Sequence, residues 1–109
     1  MLVSDITNIV GFKFGHIDKY PLGSTEEIYI YENYKLSVMK NLYEDNIYTL
    51  YTYEDKSHFT VLDMYGKNLS KKLTTLFLNI SEKEAVQFLK EEFNSILRKH
   101  KIEKLNIKN

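Results

Sequence analysis

SEKEAVQFLKEEFNSILRKH, residues 81–100, is the stretch around which the remainder of the chain has to be arranged. Ser81 and Glu84 have the spacing of a capping box, in which the serine hydroxyl accepts from the Glu84 N–H and the carboxylate accepts from the Ser81 N–H. Apolar side chains then recur three and four residues apart, as on one face of a helix. They are Ala85, Phe88, Leu89, Phe93, Ile96 and Leu97. Burying each large one is worth about 1.5–3 kcal/mol, so this helix requires an apolar surface to lie on.

The residues before this helix supply that surface, because from residue 26 onward apolar and polar side chains alternate with a period of two. This pattern predicts a hairpin of residues 28–31 and 34–39 with its turn at Glu32 and Asn33. Two further strands are predicted at residues 47–54 and 58–65. Residues 69–80 fit either a helix or a strand, and the threonine pair and Phe77 favour a strand centred on residues 74–78.

The N-terminal part is less regular. A short helix or turn ended by Gly11 is predicted to precede a strand at residues 10–14. Residues 15–25, GHIDKYPLGST, contain the only proline and two of the four glycines, so they are predicted to be a loop. A loop of this length in so small a domain is more often functional than a short one, which makes it the first candidate site.

These elements predict an α+β fold in a single domain, residues 1–109. An antiparallel β-meander of five to six strands packs one face on one C-terminal α-helix. One helix covers only part of such a sheet, so the opposite face is expected to be solvated, curled on itself or offered to a partner.

Composition narrows the functional class. The chain of 109 residues has no cysteine, which excludes disulfides and thiolate metal sites. It shows neither a secretory signal nor an apolar run near the roughly 20 residues of a membrane span, so we expect a cytoplasmic protein with no membrane association. Lysine outnumbers arginine 14 to 1, and such usage is typical of AT-rich coding DNA in low-GC bacteria and their phages.

Net charge is zero, but it is unevenly distributed. Residues 1–55 hold 4 Lys against 9 Asp and Glu, whereas residues 56–109 hold 11 Lys and Arg against 6 Asp and Glu. Such segregation can steer a charged partner, unless the fold interleaves the two halves and cancels it.

Tyrosine density is the most unusual feature, since eight of the nine tyrosines lie between residues 20 and 53, among acidic residues. Tyrosine joins an apolar ring to a hydroxyl and is enriched at interface hot spots, although it also simply suits strands. The predicted partner-binding residues are Tyr29, Tyr31, Glu32, Tyr43, Glu44, Asp45, Tyr48, Tyr51, Tyr53, Glu54 and Asp55.

Basic residues near the C-terminus suggest an alternative function. Cations with nearby aromatic rings are what single-stranded nucleic acid requires, although cations at a helix C-terminus also complement the helix dipole. The candidates for this alternative are Lys71, Lys72, Arg98, Lys99, Lys101 and Lys104.

No catalytic signature stands out. His16 and Asp18 are two residues apart and would face the same way in an extended segment, and His58 lies near Asp55 and Asp63. They lack a third ligand at a recognisable metal spacing, and the chain has no GxSxG, HExxH, P-loop or GxGxxG motif. We therefore expect a protein that is not an enzyme and uses no metal or cofactor.

The sequence is most consistent with a small interaction protein that binds another protein, one with a basic face. In a low-GC bacterium or its phage, such a protein is expected to be an inhibitor or immunity-type protein that blocks a nuclease or a host-defence complex. Whether the chain forms a homodimer stays open at this point.

Overall fold

The structure, a computed structural model, describes residues 1–53 and 73–107. The helices are α1 (Val3–Val10), α2 (Glu82–Glu92) and α3 (Asn94–Ile107). The strands are β1 (Lys13–Lys19), β2 (Thr25–Tyr31), β3 (Tyr34–Lys40), β4 (Ile47–Tyr53) and β5 (Leu73–Ile80). A short 3-10 turn, Pro21–Gly23, lies between β1 and β2.

The described strands form one antiparallel meander in the order β1-β2-β3-β4-β5, which confirms the predicted α+β fold. Register places whole rows of residues side by side across the sheet. One row runs through Phe14, Tyr29, Leu36, Leu50 and Phe77. The members of such a row point to the same face, because side chains alternate along every strand. This apolar row is the surface on which the helices lie.

The predicted helical stripe does reach the core. Ala85, Leu89 and Phe93 are buried, and Phe88, Ile96 and Leu97 pack against the same cluster. The capping box at Ser81 is also confirmed, with the Glu84 N–H donating to the Ser81 hydroxyl at 3.3 Å.

The single predicted helix is wrong in one respect, since Phe93 separates α2 from α3. Its backbone has φ −108° and ψ 25°, and its ring is held by three others. The ring-centroid distances are 4.8 Å to Tyr34, 5.7 Å to Phe12 and 6.0 Å to Tyr31. An apolar stripe cannot reveal such a break, because the same spacing continues on both sides.

The N-terminal helix is also more substantial than predicted. α1 spans eight residues, and its Val3, Ile6 and Val10 enter the core, so the sheet is covered by helices from both ends of the described chain. Gly11 ends α1 as predicted, with φ 105° and its N–H donating to the Thr7 carbonyl at 3.0 Å. Only glycine adopts this left-handed conformation at little cost.

The predicted loop at residues 15–25 is mostly strand. Residues 16–19 belong to β1, where they pair with residues 25–28 of β2, so the connection shrinks to residues 20–24. Glycine and proline content overstated the loop, because cross-strand pairing decides β structure more than composition does. The predicted strand at residues 74–78 is confirmed within β5, and the one at residues 58–65 lies outside the described residues.

The sheet face opposite the described helices is not simply solvated. Ile28, Ser37 and Thr49 form a row across its centre and are buried. These three side chains are therefore not part of the exposed surface of the sheet. Within residues 1–53 and 73–107, no helix combines the length and the apolar character that a membrane span needs.

Candidate interaction surface

Two connections meet at one end of the sheet. Residues 20–24 join β1 to β2 and residues 41–46 join β3 to β4, and the pairing of Lys19 with Thr25 and of Thr25 with Lys40 places both at the same end. We call these two segments together the loop tip. It contains the part of the predicted partner-binding set formed by Tyr43, Glu44 and Asp45.

The loop tip exposes large apolar side chains. Leu22 and Tyr43 are 94% and 95% exposed, and Leu42 is 65% exposed. Single exposed apolar residues are common on protein surfaces, but three on two adjoining loops are a contiguous feature. An exposed patch of this kind marks a site of protein contact more often than a feature of the fold.

The two loops brace each other. The Ser24 hydroxyl lies 3.1 Å from the Asn41 side-chain oxygen, and a methyl group added at Gly23 would overlap the Leu42 side chain. Within the first loop, the Tyr20 N–H donates to the Ser24 carbonyl at 2.9 Å. The loop tip is thereby held in one shape.

Leu22 occupies a strained conformation at this tip. Its φ is 69° and its ψ is 17°, the left-handed region that residues with a side chain seldom adopt. The side chain makes no compensating burial, because it is almost fully exposed. Unusual backbone conformations of this kind concentrate at functional positions, and here the strain turns an apolar side chain outward.

Charged groups of both signs adjoin the apolar tip, with Lys19 and Lys40 at the ends of the strands that enter the two loops. Glu44 and Asp45 are exposed and follow Tyr43 directly, and Asp18 lies at the exposed end of β1. The Tyr20 hydroxyl donates to Glu26 at 2.9 Å, and this hydrogen bond to a carboxylate raises the pKa of Tyr20. The second loop therefore combines apolar side chains with the negative charges of Glu44 and Asp45.

A cavity of about 320 Å³ lies between α1 and the sheet, near the loop tip. Two tyrosine–carboxylate pairs line it. The Tyr29 hydroxyl donates to Glu27 at 2.6 Å, and the Tyr48 hydroxyl donates to Glu82. Lys40 forms a salt bridge with Glu27, with its Nζ 3.1 Å from Glu27 Oε2.

The protonation states in this cavity follow from burial and hydrogen bonding. Burial, and then the hydrogen bonds to Glu27 and Glu82, raise the pKa values of Tyr29 and Tyr48 to about 12 each. Burial alone would raise the pKa of Glu27, but the bonds from Tyr29 and Lys40 outweigh it and hold that pKa below its usual value. The tyrosines are therefore neutral donors and Glu27 is ionised at neutral pH.

The predicted tyrosine set does not lie on one surface. Tyr29, Tyr31 and Tyr48 point to the helix-covered face, where Tyr48 is buried and the other two pack against the core. Tyr51 points to the opposite face, since it pairs with Lys35. Glu32 is exposed in the turn at the far end of the sheet, with φ 49°. Among the predicted partner-binding residues whose side chains are described, only Tyr43, Glu44 and Asp45 lie together on an exposed surface.

Several predicted residues have no described side chain. The backbone of Tyr53 ends β4, and Glu54, Asp55, Lys71 and Lys72 lie outside the described residues. The remaining basic candidates of the alternative function are exposed on α3. They are Arg98, Lys99, Lys101 and Lys104.

His16 and Asp18 do face each other, with His16 Nε2 3.2 Å from Asp18 Oδ2, as the extended reading predicted. His58 lies outside the described residues, so convergence of the three groups is untested. Within the described ranges, no three His, Asp or Glu residues are grouped as a metal site would require.

Sequence reasoning did not name Tyr20, Leu22 or Leu42 as site residues, although Tyr20 and Leu22 lie in the segment 15–25 that it gave as the first candidate site. A signal for them was present, because alternate connections of an antiparallel meander lie at the same end of the sheet. Comparison of the chain with protein families, curated proteins and solved structures found no match.

Proposed function

We propose that this protein is a non-enzymatic interaction module that acts by occupying the surface of another protein. The observation that carries the proposal is the exposure of Leu22, Leu42 and Tyr43 on two braced loops. Apolar side chains of this size stabilise a complex only when a partner removes them from water. Tyrosine in particular is enriched among the few residues that dominate binding energy.

The shape of the loop tip favours insertion into a recess of the partner. The hydrogen bond within the first loop and the contact of Ser24 with Asn41 restrain the tip, which reduces the conformational entropy lost on binding. A projecting, preordered apolar tip is complementary to a concave surface rather than to a flat one. The partner is therefore expected to bind the tip within a cleft.

The charges of the loop tip indicate which residues line the rim of the partner's cleft. Glu44 and Asp45 flank Tyr43, so Lys and Arg side chains on the partner would complement them and speed association. Clefts lined by basic groups commonly hold nucleic acid. An inhibitor or immunity-type protein of a low-GC bacterium or phage, blocking a nuclease or host-defence complex, fits this chemistry.

The test is affinity capture from a low-GC bacterial lysate, followed by titration of the captured protein with purified variants. The combined change Leu22→Ser and Tyr43→Ala should weaken binding by about 100-fold or more, since two hot-spot side chains are lost. Glu44→Lys with Asp45→Lys should slow association and reduce its dependence on salt.

Matched controls use exposed residues away from the loop tip. Leu78→Ser removes an apolar side chain that is also largely exposed, and Glu103→Lys reverses an exposed charge on α3. Both should bind as the unaltered protein does. Binding that survives the tip variants would show that another surface is used, and failure to capture any partner would leave the interaction class without support.

One observation favours the alternative, single-stranded nucleic-acid binding. A groove of about 410 Å³ is lined by Lys90 of α2 and by Arg98, Lys101 and Lys104 of α3. Four cations around one groove suit a phosphate backbone, although the described lining contains no Phe or Tyr on which bases could stack. Titration of labelled single-stranded oligonucleotides tests this alternative. Affinity should fall steeply with salt and with Lys99→Glu plus Lys101→Glu, and an absence of binding at low salt would exclude it.

A further inference from the structure

β1 is an edge strand, because within the described sheet it pairs with β2 on one side only. A strand in this position carries backbone N–H and C=O groups that can pair with another chain. Its apolar side chains are also uncovered, with Phe14 54% exposed and Ile17 42% exposed. An edge with both features is competent to accept a further strand.

The register of β1 shows which side chains share a face. Phe14 pairs with Tyr29 and Ile17 pairs with Glu27, which places both on the helix-covered side of the sheet. A β-bulge between Phe14 and His16 inserts one extra residue, so side chains three apart point the same way. By the same pairing, Lys13 and Asp18 lie together on the opposite side, beside Ile30 and Glu26.

We propose that two copies of this chain associate through antiparallel pairing of their β1 strands, joining the two sheets into one. The two-fold axis passes between Gly15 and His16. In this register, Phe14 of each copy lies opposite Ile17 of the other, and Lys13 of each copy lies opposite Asp18 of the other.

In this register, the side chains on both faces of β1 lie opposite side chains with which they interact favourably. Apolar side chains meet on the helix-covered side and opposite charges meet on the other side, twice each because the interface is isologous. His16 lies opposite Gly15, which has no side chain to obstruct the imidazole. The backbone hydrogen bonds and the aromatic–aliphatic pairs contribute most of the affinity, and the exposed ion pairs fix the register.

Neighbouring registers are unfavourable. A two-fold axis at His16 places Lys13 opposite Lys19 and Phe14 opposite Asp18, and in each pair the two side chains belong to different faces of the sheet. An axis at Gly15 places Lys13 opposite Ile17, whose side chain belongs to the other face. Because a slip of one residue turns side chains to the wrong face, the proposed alignment is favoured over both of its neighbours.

Sedimentation equilibrium of the full chain over a range of concentrations tests the proposal. The unaltered protein should show a concentration-dependent dimer. Lys13→Glu alone, or Asp18→Lys alone, places like charges opposite each other twice and should raise the dimer dissociation constant by roughly tenfold. The combined variant carries opposite charges again and should return to the dissociation constant of the unaltered protein.

Lys83→Glu on α2 is the control, because it reverses an exposed charge away from β1 and should leave the dimer unchanged. A measurement without any variant is amide hydrogen exchange, which should slow in β1 as the protein concentration rises. A monomer at all concentrations would overturn the proposal, and so would a dimer whose dissociation constant ignores both charge reversals. A double variant as weak as the single ones would overturn the register. Leu22→Ser with Tyr43→Ala should not affect the dimer, so this proposal and the loop-tip proposal can fail separately.

Discussion

Phe93 is the residue at which the helices, the sheet and the segment after α1 meet. It is buried, and the rings of Phe12, Tyr31 and Tyr34 surround it. The edge-on geometry of the Phe12 contact, with ring planes at 88°, is one that aromatic pairs favour. Phe93 also ends α2, so one side chain determines both the packing and the direction of the chain.

Replacement of Phe93 by alanine should therefore lower the free energy of unfolding by about 3–5 kcal/mol, because the cavity left among three rings cannot close fully. Denaturant titration followed by circular dichroism measures this loss. Leu105→Ala, which removes an exposed side chain from α3, is the control and should change stability by less than about 0.5 kcal/mol. An unchanged midpoint in the Phe93 variant would mean that the helices are not docked through this residue.

Tyr48 leads to a prediction about pH. Its pKa is raised to about 12, so the folded state favours the neutral phenol that donates to Glu82. A group whose pKa is raised on folding contributes stability that is complete below the unfolded pKa near 10 and is lost as pH rises towards 12. Unfolding free energy should thus fall between about pH 10 and pH 12.

Tyr48→Phe tests the same contact at neutral pH. The variant should lose roughly 1–2 kcal/mol there, because Glu82 loses its phenol donor, and its alkaline decline should be shallower. Denaturant titrations at a series of pH values give both quantities. Tyr43→Phe, whose hydroxyl lies in solvent, should match the unaltered protein at neutral pH. Equal alkaline slopes for the Tyr48 variant and the unaltered protein would contradict the assignment.

At the scale of elements, α2 depends on its first turn. Ser81 accepts from the Glu84 N–H, and Glu82 accepts from Tyr48 of β4 and from the Val3 N–H of α1. The start of one helix is thereby tied to the sheet and to another helix. An error in this turn would misplace both contacts.

Ser81→Ala should cost about 1 kcal/mol, since the cap hydroxyl is lost while Glu84 remains. Thermal denaturation measures the change. Ser95→Ala removes an exposed serine inside α3, where alanine has the better helix propensity, so it should be neutral or slightly stabilising. Equal losses in the two variants would indicate that the hydroxyl of Ser81 does not act as a cap.

The strands show which elements can be predicted from the sequence alone. β2, β3 and β4 follow from alternation, because successive side chains in each strand point to opposite faces of the sheet. The part of β1 that follows Phe14 was not predicted as a strand, because its bulge interrupts the alternation of side chains at Gly15. Helical spacing likewise predicted the buried stripe of α2 but could not show the break at Phe93, which depends on rings from distant residues.

At the scale of the whole molecule, one core joins the three described helices with strands β2 to β5. Ile6 of α1, Leu36 and Leu50 of the sheet and Leu89 of α2 are fully buried in the same cluster. Neither half of the chain can bury its apolar surface without the other. Unfolding should therefore be a single transition, with the same midpoint by tyrosine fluorescence and by far-ultraviolet circular dichroism. Two separated midpoints would show that part of the chain folds alone.

The candidate surface was predictable only in part. Tyr43, Glu44 and Asp45 were identified from composition. Alternation could not show that the hydroxyls of Tyr29 and Tyr48 donate to Glu27 and Glu82 within the protein. A tyrosine on a strand suits a core and an interface equally well. Leu22 was missed because its exposure arises from a positive φ that no residue pattern encodes.

The meander has a consequence for how the chain emerges from the ribosome. Each described hairpin closes between neighbouring strands, so β1 to β4 can pair as soon as they are made. Their apolar face, however, stays bare until Leu89 and its neighbours follow, roughly 40 residues after Leu50. At about 5–20 residues per second, translation leaves that face without α2 for about 2–8 s, and α1 is the described helix that is already made in this window.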